Sequence, residues 1–483
     1  MNRREFMMAA SAMAPKAAYG LSVSDPLLRA QSAGIRLDRR RLQSVLDETA
    51  RSLGVVGAQL AIFDGKETAE FAAGMANREL GLATTTNTLF QIGSVTKLFN
   101  ASLIMTLVDD GTLALDKPIK TWVADFKLAD RDAAERITLR HLLSMTSGID
   151  NGPYTDYGRG DDALGRYAAA LAEMPHIFAP GTAFGYSNAG INISGLAAQR
   201  AKEKSWEVLL DEKILQPLGL KHSANFAEDL LHHSVAMGYS YPEGSKEPAQ
   251  VPGWAGARSG APAGGTFCSS AGDLIRLARM FLSGGKTPEG ARLISERGVE
   301  TMQTPQVTLP NRIMAQKWCI GPYWKQWDGQ VILGHSGTNR GGSSMLLWCP
   351  ARNFAIATIA NVARQGYPLA DRIFDVVFPE MFGIAKPASP RPNTITPVKV
   401  DLNRFKGRFT SWEITIVFAQ EEERLIARIY TRAAGEAGKP VITSELIPLG
   451  GDRFLPADPA MGGNRGWDVA FWETMTPAAP PTS

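Results

Sequence analysis

A proline-rich segment constrains how this chain can fold more than any other feature of the sequence. Residues 385–397 (AKPASPRPNTITP) hold four prolines in thirteen positions. Because proline lacks the backbone N–H and fixes φ, such a stretch cannot build a core and instead spaces two folding units. The chain has 483 residues, which is more than one hydrophobic core usually supports. We therefore predict a large domain over residues 35–384, a linker over 385–397 and a small domain over 398–475.

Hydrophobic patterning predicts a mixed helix and strand structure before the linker. Apolar residues recur at helical spacing over 37–53, a long apolar helix begins at about Ser94, and residues 135–300 are mostly helical in pattern. Strand-like runs occur at Gly57–Phe63, Glu67–Ala73, Gln330–Leu333, Ser344–Trp348 and Phe354–Ile359. After the linker, short strands that predict a small antiparallel, barrel-like β unit occur at Ile414–Phe418, Leu425–Tyr430, Ser444–Pro448 and Val469–Trp472.

The first twenty residues have the pattern of a bacterial export signal. Arg3 and Arg4 precede an apolar run from Phe6 to Ala14, and small residues follow. The segment Arg3-Arg4-Glu5-Phe6 is similar to the twin-arginine type of signal. No later stretch reaches the ~18 apolar residues that a membrane-spanning helix needs. We expect a periplasmic or extracellular protein without a transmembrane anchor; the alternative is an untargeted basic N-terminus on a cytoplasmic protein.

Charge and metal-binding residue types exclude several function classes. The net charge of +3 is too balanced to predict nucleic acid as a partner. The three cysteines form no C-x-x-C pair and the six histidines form no H-E-x-x-H motif, so we predict neither a zinc site nor a disulfide framework. We expect no metal and no organic cofactor, and a small-molecule or peptide substrate.

The pattern Ser-x-x-Lys, which can pair a nucleophile with a base, occurs twice. A chain of this composition yields about two such matches by chance, so the context must separate them. Ser283 and Lys286 follow an apolar helix and enclose Gly-Gly, which is typical of a helix end. Ser94 and Lys97 begin a helix, where residues three apart share one face and the helix dipole favours an oxyanion. The alternative for Ser94 is a plain helix cap.

Two further motifs each occur once. Tyr186-Ser187-Asn188 lies in a glycine-rich loop that runs into a helix, and a phenol beside a lysine cation would titrate below its usual ~10, as a general base needs. His335-Ser336-Gly337 follows the strand-like Val331-Ile332-Leu333. Glycine at a strand edge lets a ligand approach closely, and the Thr338 N–H would then point at a bound carbonyl. Taken alone, Tyr186 and His335 are also compatible with ordinary structural positions.

Taken in order, the three motifs resemble the signature motifs of the serine β-lactamase and penicillin-binding-protein superfamily. The resemblance is closest to its class C branch of β-lactamase-related serine hydrolases, which includes class C β-lactamases, D-alanyl-D-alanine carboxypeptidases, D-aminopeptidases and esterases. It extends over about residues 40–380 and includes the connecting segments Phe90–Gly93, Thr138–Leu143, Thr146–Ile149, Pro217–Leu220 and Pro262–Gly265. The resemblance implies an α/β (α+β) fold, with an antiparallel sheet flanked by helices and joined to a helical lobe.

The resemblance also implies roles for the motif residues. Ser94 would be the acylated nucleophile, Lys97 would keep it activated, and Tyr186 would shuttle the proton to the leaving group. The substrate-binding residues would be Asn188, His335, Gly337 and Thr338, and the oxyanion hole would be formed by the backbone N–H groups of Ser94 and Thr338.

The histidine at position 335 departs from the lysine of class C β-lactamases. Because histidine is mostly neutral above its reference pKa of ~6.5, it attracts a substrate carboxylate less than lysine does. We therefore predict a serine hydrolase of amide, peptide or ester bonds, with true β-lactam hydrolysis as the alternative. Arg340 is a weaker candidate for the missing cation. Two other hypotheses are an α/β-hydrolase that uses Ser187 in a near match to G-x-S-x-G, and a non-catalytic binding protein.

Overall fold

The computed structural model describes residues 38–470 except 243, 255, 310–314, 364, 389–390, 413, 432–437, 459–460 and 462–468. The export signal predicted over residues 1–20 lies outside this part of the chain. The described helices are Arg39–Ser52, Thr96–Asp109, Arg131–Arg136, Leu139–Leu143, Ala163–Ala170, Asn188–Lys202, Trp206–Leu210, Gln216–Leu218, Ala271–Leu282, Glu296–Gln303 and Gly366–Val377.

A nine-stranded antiparallel sheet forms the centre of the large region. Its strands are β1 (Gly57–Phe63), β2 (Thr68–Asn77), β3 (Leu82–Ala83), β9 (Val307–Thr308), β10 (Lys317–Trp318), β11 (Tyr323–Trp327), β12 (Gln330–Asn339), β13 (Gly342–Cys349) and β14 (Phe354–Ala360). Their spatial order in the sheet is β3-β2-β1-β14-β13-β12-β11-β10-β9. Short strands outside this sheet are β4 (Phe90–Gln91), β5 (Ser223–Ala224), β6 (Tyr239–Ser240), β7 (Ala249–Gln250) and β8 (Cys268–Ser269).

Helices cover the central strands of this sheet. All residues of β1 and β14 are buried, which is expected where both faces of a sheet are covered. The Arg39–Ser52 and Gly366–Val377 helices pack against each other and against the sheet, and Ala271–Leu282 packs against β1, β13 and β14. Arg39–Ser52 begins where the Asp38 side chain accepts a hydrogen bond from the Arg41 N–H.

A helical lobe lies beside the sheet and supplies the other wall. The Asn188–Lys202 helix packs against Thr96–Asp109, Leu139–Leu143, Ala163–Ala170 and Trp206–Leu210. In Thr96–Asp109, every residue from Thr96 to Leu107 is buried. A helix buried on all sides belongs to the interior of a protein, and this one lies between the lobe and the sheet.

The C-terminal residues form a second, smaller antiparallel sheet. Its strands, in spatial order, are β15 (Gly407–Thr410), β16 (Ile414–Glu421), β17 (Arg424–Thr431), β18 (Ile442–Gly450), β19 (Arg453–Pro456) and β20 (Val469–Ala470). The sheet has its own apolar core, which includes Phe405, Phe418, Leu425, Leu446 and Phe454. Trp412 connects it to the large region, because its backbone N–H donates a hydrogen bond of 2.5 Å to Asp150 Oδ2.

The expected architecture is confirmed: an antiparallel sheet flanked by helices, a helical lobe and a small C-terminal β sheet. Strand lengths differ from the predictions, since β12 continues from Gln330 to Asn339 and includes the whole His-Ser-Gly motif. Strands β15 and β19 were not predicted, and the predicted strand Val469–Trp472 is described only at Val469–Ala470. The domain boundaries at 384/385 and 397/398 stay predictions. Among the described residues, no helix combines the length and apolar character needed to cross a membrane.

Candidate active site

A tight turn presents Ser94 at the edge of the central sheet. Ser94 is the middle residue of a 3-10 turn, Gly93–Val95, that leads into the Thr96–Asp109 helix. Gly93 has φ +51°, and a Cβ there would lie 2.6 Å from the Thr338 carbonyl oxygen and 2.8 Å from the Thr338 nitrogen. Only glycine therefore lets the turn lie this close to β12. The backbone segments that carry the Ser94 and Thr338 N–H groups face each other.

Lys97 is buried directly beneath Ser94. Its Nζ lies 2.9 Å from Ser94 Oγ and donates a hydrogen bond of 2.6 Å to the carbonyl of Ala263. Lys97 is 0% exposed, and this burial lowers the pKa of its ammonium well below the ordinary value. A lysine with such a pKa is available as a neutral amine that can accept a proton from a hydroxyl.

Tyr186 lies on the other side of Lys97, and its titration differs from our expectation. Lys97 Nζ is 5.0 Å from the centroid of the Tyr186 ring. Burial raises the pKa of the Tyr186 phenol, and a hydrogen bond with Ser94 opposes this rise to a smaller extent. The expected lowering by a lysine cation is wrong, because burial of the phenol itself has the largest effect on its pKa. Tyr186 therefore stays protonated and can donate a proton.

Hydrogen bonds with Asn151 and Tyr154 orient Asn188. Its backbone N–H donates to Asn151 Oδ1 at 3.1 Å, and its Nδ2 donates to the Tyr154 hydroxyl at 3.1 Å. Ser187 caps the Asn188–Lys202 helix, because its Oγ accepts a hydrogen bond from the Gly190 N–H and donates one to the Asp150 carbonyl. Ser187 is 0% exposed. A buried, fully used hydroxyl does not fit the nucleophile of the α/β-hydrolase hypothesis.

The edge of β12 lines the site opposite the helical lobe. Pairing with β11 ends at Gly334, so the following residues of β12 lie against the Gly93–Val95 turn instead. A Cβ at Gly337 would lie 1.9 Å from the Ile92 carbonyl, which explains why glycine is needed there. The Thr338 hydroxyl is 2.9 Å from the Tyr367 hydroxyl. Gly337 thus allows the close approach, and Thr338 presents its backbone beside Ser94.

His335 is a neutral histidine with one unpaired nitrogen. Its Nδ1 lies 2.7 Å from the Ser336 carbonyl, which can only accept, so Nδ1 carries the proton. Burial, with a smaller contribution from Lys97, lowers the pKa of His335 to about 3. Nε2 is therefore an acceptor, and it is buried with no hydrogen-bond partner among the described residues. The rings of Trp318 and Tyr323 lie beside the imidazole.

One cavity of about 930 Å³ brings these residues together. Ser94, Tyr186, Asn188, His335 and Thr338 line it, whereas Lys97 and Gly337 lie behind its surface. Arg340, which the sequence suggested only weakly, is exposed and also lines the cavity. In the described part of the chain, no group of three or more His, Cys, Asp or Glu side chains is arranged to hold a metal ion.

Sequence reasoning missed several residues that shape the site. Ala263 supplies the carbonyl that holds Lys97, and Asn192 Oδ1 accepts a hydrogen bond from the Ala263 N–H. Gly264 lies against the nucleophile turn, because a Cβ there would be 2.2 Å from the Gly93 carbonyl and 3.0 Å from the Ser94 nitrogen. The segment Pro262–Gly265 was noted only as part of the resemblance, and its adjacent glycines at 264 and 265 are the local signal of this close approach.

Known proteins of several kinds are similar to this chain. A family model described as Beta-lactamase matches residues 42–376. Penicillin-binding protein 4 of Amycolatopsis lactamdurans is 33% identical over 379 residues, which cover 77% of this chain and 99% of that protein. Esterase EstB of Burkholderia gladioli is 30% identical over 226 residues, which cover 44% of this chain and 56% of the esterase.

A solved structure extends the similarity towards the C-terminus. A crystal structure of SurE matches with a TM-score of 0.72 and 28% sequence identity, over 87% of this chain and 92% of that chain. Because 87% of 483 residues is a longer span than residues 1–376, this match includes part of the chain beyond the Beta-lactamase region.

Proposed function

The chain belongs to the beta-lactamase family and is a serine hydrolase that acts on amide or ester bonds, and from this premise we propose that Ser94 is its nucleophile. The observation that carries the proposal is the contact between Lys97 Nζ and Ser94 Oγ, 2.9 Å apart at the base of the cavity. A buried amine with a lowered pKa, in contact with a hydroxyl, is the arrangement that activates a serine.

In the acylation step, Ser94 Oγ attacks the carbonyl carbon of the substrate. Neutral Lys97 accepts the hydroxyl proton as the new C–O bond forms, so no free alkoxide accumulates. The backbone N–H groups of Ser94 and Thr338 stabilise the negative charge that develops on the carbonyl oxygen. The tetrahedral intermediate then loses its amine or alcohol leaving group and becomes an ester of Ser94.

Tyr186 carries the proton to the leaving group. Its phenol stays protonated because burial raises its pKa, and it hydrogen-bonds Ser94. Tyr186 can therefore donate its proton to the departing nitrogen or oxygen and regain one from Lys97. In deacylation, neutral Lys97 accepts a proton from the water that attacks the Ser94 ester, and this proton returns to Ser94 Oγ as the ester C–O bond breaks. The products are a carboxylic acid and an amine or alcohol, and no metal or organic cofactor takes part in these steps.

The binding residues support amide, peptide or ester substrates. Asn188 lines the same cavity as Ser94, and its side chain, held by Tyr154, can bind an amide of the substrate. His335 is neutral because burial lowers its pKa to about 3, so it does not attract a carboxylate.

The second candidate function is β-lactam hydrolysis. The observation in its favour is Arg340, whose guanidinium lies at the cavity and could form a bidentate pair with a carboxylate. Removing this charge separates the two candidates. If Arg340→Gln abolishes nitrocefin turnover and leaves ester turnover unchanged, Arg340 binds the carboxylate.

A substrate panel tests the proposed function. Nitrocefin, D-alanyl-D-alanine peptides, D-amino-acid amides and short-chain p-nitrophenyl esters are each incubated with the wild-type enzyme and with Ser94→Ala. We expect the amides, peptides or esters to be hydrolysed at rates that exceed nitrocefin hydrolysis, and no turnover by the variant. Nitrocefin as the best substrate would support the β-lactamase alternative.

For the N-terminus, we propose export through the twin-arginine-like segment. The pattern of Arg3 and Arg4 before an apolar run supports it. We expect Arg3→Lys with Arg4→Lys to retain the protein in the cytoplasm of a bacterial host, measured by fractionation. Equal export of both forms would contradict this proposal.

A further inference from the structure

A contact from the small C-terminal sheet reaches the segment that carries the Tyr-Ser-Asn motif. Trp412, which lies between β15 and β16, donates its backbone N–H to Asp150 Oδ2 at 2.5 Å. The Trp412 side chain is partly buried and packs against the apolar core of the large region. Asp150 is only 5% exposed. Because a buried carboxylate needs hydrogen-bond donors, the N–H that the small sheet supplies stabilises Asp150 in this position.

The backbone around Asp150 holds three consecutive residues of the motif segment. The Ser187 hydroxyl donates to the Asp150 carbonyl at 3.0 Å. Asn151 Oδ1 accepts a hydrogen bond from the Asn188 N–H at 3.1 Å, and the Asn151 carbonyl accepts one from the Ala189 N–H at 3.0 Å. Residues 187–189 are therefore attached to residues 150 and 151 by hydrogen bonds at every position.

The Asp150 carboxylate joins the small sheet to these contacts. Its Oδ2 accepts from the Trp412 N–H, and its Oδ1 accepts from the Asn151 N–H at 2.6 Å. Hydrogen bonds to a carboxylate are among the stronger ones in proteins. The carboxylate thus fixes the Asn151 backbone relative to the small sheet, and Asn151 in turn holds the motif segment.

The conformation of Ser187 extends this constraint to the two residues beside it. Ser187 has extended backbone angles, with φ −138° and ψ 109°. Successive side chains of an extended chain point to opposite sides. The buried Ser187 side chain contacts the Asp150 carbonyl, whereas Tyr186 and Asn188 line the cavity. An anchor on Ser187 therefore orients the Tyr186 phenol towards the nucleophile.

We propose that Asp150 is a positioning residue for Tyr186, and that the C-terminal sheet holds Asp150 in place through the Trp412 N–H. Asp150 does not itself line the cavity, and no described residue after Tyr367 does. The small sheet therefore contributes to turnover through this contact and not by touching the substrate. The inference rests on the proposed function, in which Tyr186 carries the proton to the leaving group.

The first test compares Asp150→Ala with a matched control, Asp64→Ala. Asp64 also accepts hydrogen bonds from two backbone N–H groups, those of Lys66 and Glu67, but it lies between β1 and β2 and does not line the cavity. We expect Asp150→Ala to lower kcat/KM for an amide about tenfold, because a misplaced phenol transfers its proton poorly. The loss for a p-nitrophenyl ester should be at most about threefold, because p-nitrophenolate leaves without a proton. Asp64→Ala should leave both values within about twofold.

A double-variant cycle separates positioning from a general loss of structure. In the Tyr186→Phe background the phenolic hydroxyl is already absent, so Asp150→Ala should lower the remaining amide kcat/KM by at most about threefold. A tenfold loss in both backgrounds would overturn the proposal. An equal loss for the amide and the ester would overturn it as well.

Two substitutions at position 412 test the connection to the small sheet and leave Asp150 unchanged. Trp412→Pro removes the N–H that Asp150 accepts, whereas Trp412→Ala keeps the N–H and removes the indole. We expect Trp412→Pro to reproduce the selective loss of about tenfold on the amide, and Trp412→Ala to stay within about threefold of wild type. Full amide turnover in Trp412→Pro would contradict the role of the small sheet, and it would do so even if Asp150→Ala does not fold. An equal loss in the two variants would assign the effect to the indole and contradict the role of the N–H.

Covalent labelling distinguishes failure of this inference from failure of the proposed function. A fluorophosphonate reacts with a serine by loss of fluoride, which needs no proton from Tyr186. We therefore expect Asp150→Ala to be labelled on Ser94 at the wild-type rate. If the wild-type enzyme is not labelled on Ser94, the proposed function is wrong. If it is labelled while Asp150→Ala keeps its full amide turnover, only the positioning role is wrong.

Discussion

The two Ser-x-x-Lys segments have the same spacing and opposite surroundings. Ser94 and Lys97 lie where a helix begins, with Lys97 fully buried and its amine in contact with the Ser94 hydroxyl. Ser283 and Lys286 lie where the Ala271–Leu282 helix has ended, and both are exposed. The Ser283 hydroxyl donates to the backbone carbonyls of Met280 and Lys286.

The difference shows that burial, and not spacing, makes a lysine a base. An exposed lysine keeps its proton near neutral pH and cannot accept another one. Burial of Lys97 disfavours the ammonium form and so supplies the neutral amine that Ser94 needs. The sequence between the two residues contributes too, since Val95-Thr96 continues a helix and Gly284-Gly285 ends one.

The largest effect should come from removing the two serine hydroxyls in parallel. We expect Ser94→Ala to lower kcat/KM by about 10⁴-fold or more, because the nucleophile is lost. Ser283→Ala should stay within about twofold of wild type, because its hydroxyl only contacts nearby carbonyls. Both rates are measured on the best substrate of the panel, with circular dichroism to verify folding. A comparable loss in both variants would remove the distinction between the segments.

The paired lysine variants should give the next largest effect. We expect Lys97→Met to lower kcat by about 10³-fold through loss of the base, whereas Lys286→Met should have no effect. Lys97→Met should also keep or raise the Tm, because methionine fills the space without an amine to desolvate. Steady-state kinetics and thermal unfolding measure these outcomes together. Retained activity in Lys97→Met would contradict the role of Lys97.

Tyr186→Phe should have a smaller effect. The phenol donates a proton to the leaving group, so its loss should lower kcat by about 10²-fold. The reduction should be larger for amides than for p-nitrophenyl esters, because p-nitrophenolate leaves without a proton. An equal reduction for both substrate types would argue for a positioning role of the Tyr186 hydroxyl.

The smallest expected effect concerns the pH dependence of kcat/KM. Because burial lowers the pKa of Lys97, kcat/KM should rise with pH as its ammonium deprotonates and then level off below the usual lysine range. His335, with its pKa lowered to about 3, is neutral throughout this range, so His335→Gln should leave the midpoint of the rise unchanged. A midpoint that moves in His335→Gln would assign the titration to the histidine instead of Lys97.

Much of this arrangement follows from sequence patterns that act locally. The contact of Ser94 with Lys97 follows from helical spacing. The glycine at 337 was expected to let a ligand approach, but it lies against the Ile92 carbonyl of the chain itself. The order of helices and strands follows from apolar periodicity, although β12 continues beyond its apolar residues because pairing with β13, and not side-chain pattern, holds its far end.

Other features depend on tertiary packing that no local pattern encodes. The direction of the Tyr186 pKa shift depends on how deeply the phenol and its lysine neighbour are buried. Strands β5 and β8, of only two residues each, are too short to show a period. The hydrogen bond from Trp412 to Asp150 joins residues 262 positions apart, and no local pattern in either segment predicts it.

The most direct test of the central claim is the site of covalent labelling by a fluorophosphonate probe. The labelled protein is digested and the modified peptide identified by mass spectrometry, with Lys97→Met and Ser283→Ala treated in parallel. The account predicts a single adduct on Ser94, at wild-type rate in Ser283→Ala and much more slowly in Lys97→Met. An adduct on Ser187 or Ser283, or labelling of Ser94 that does not depend on Lys97, would contradict it.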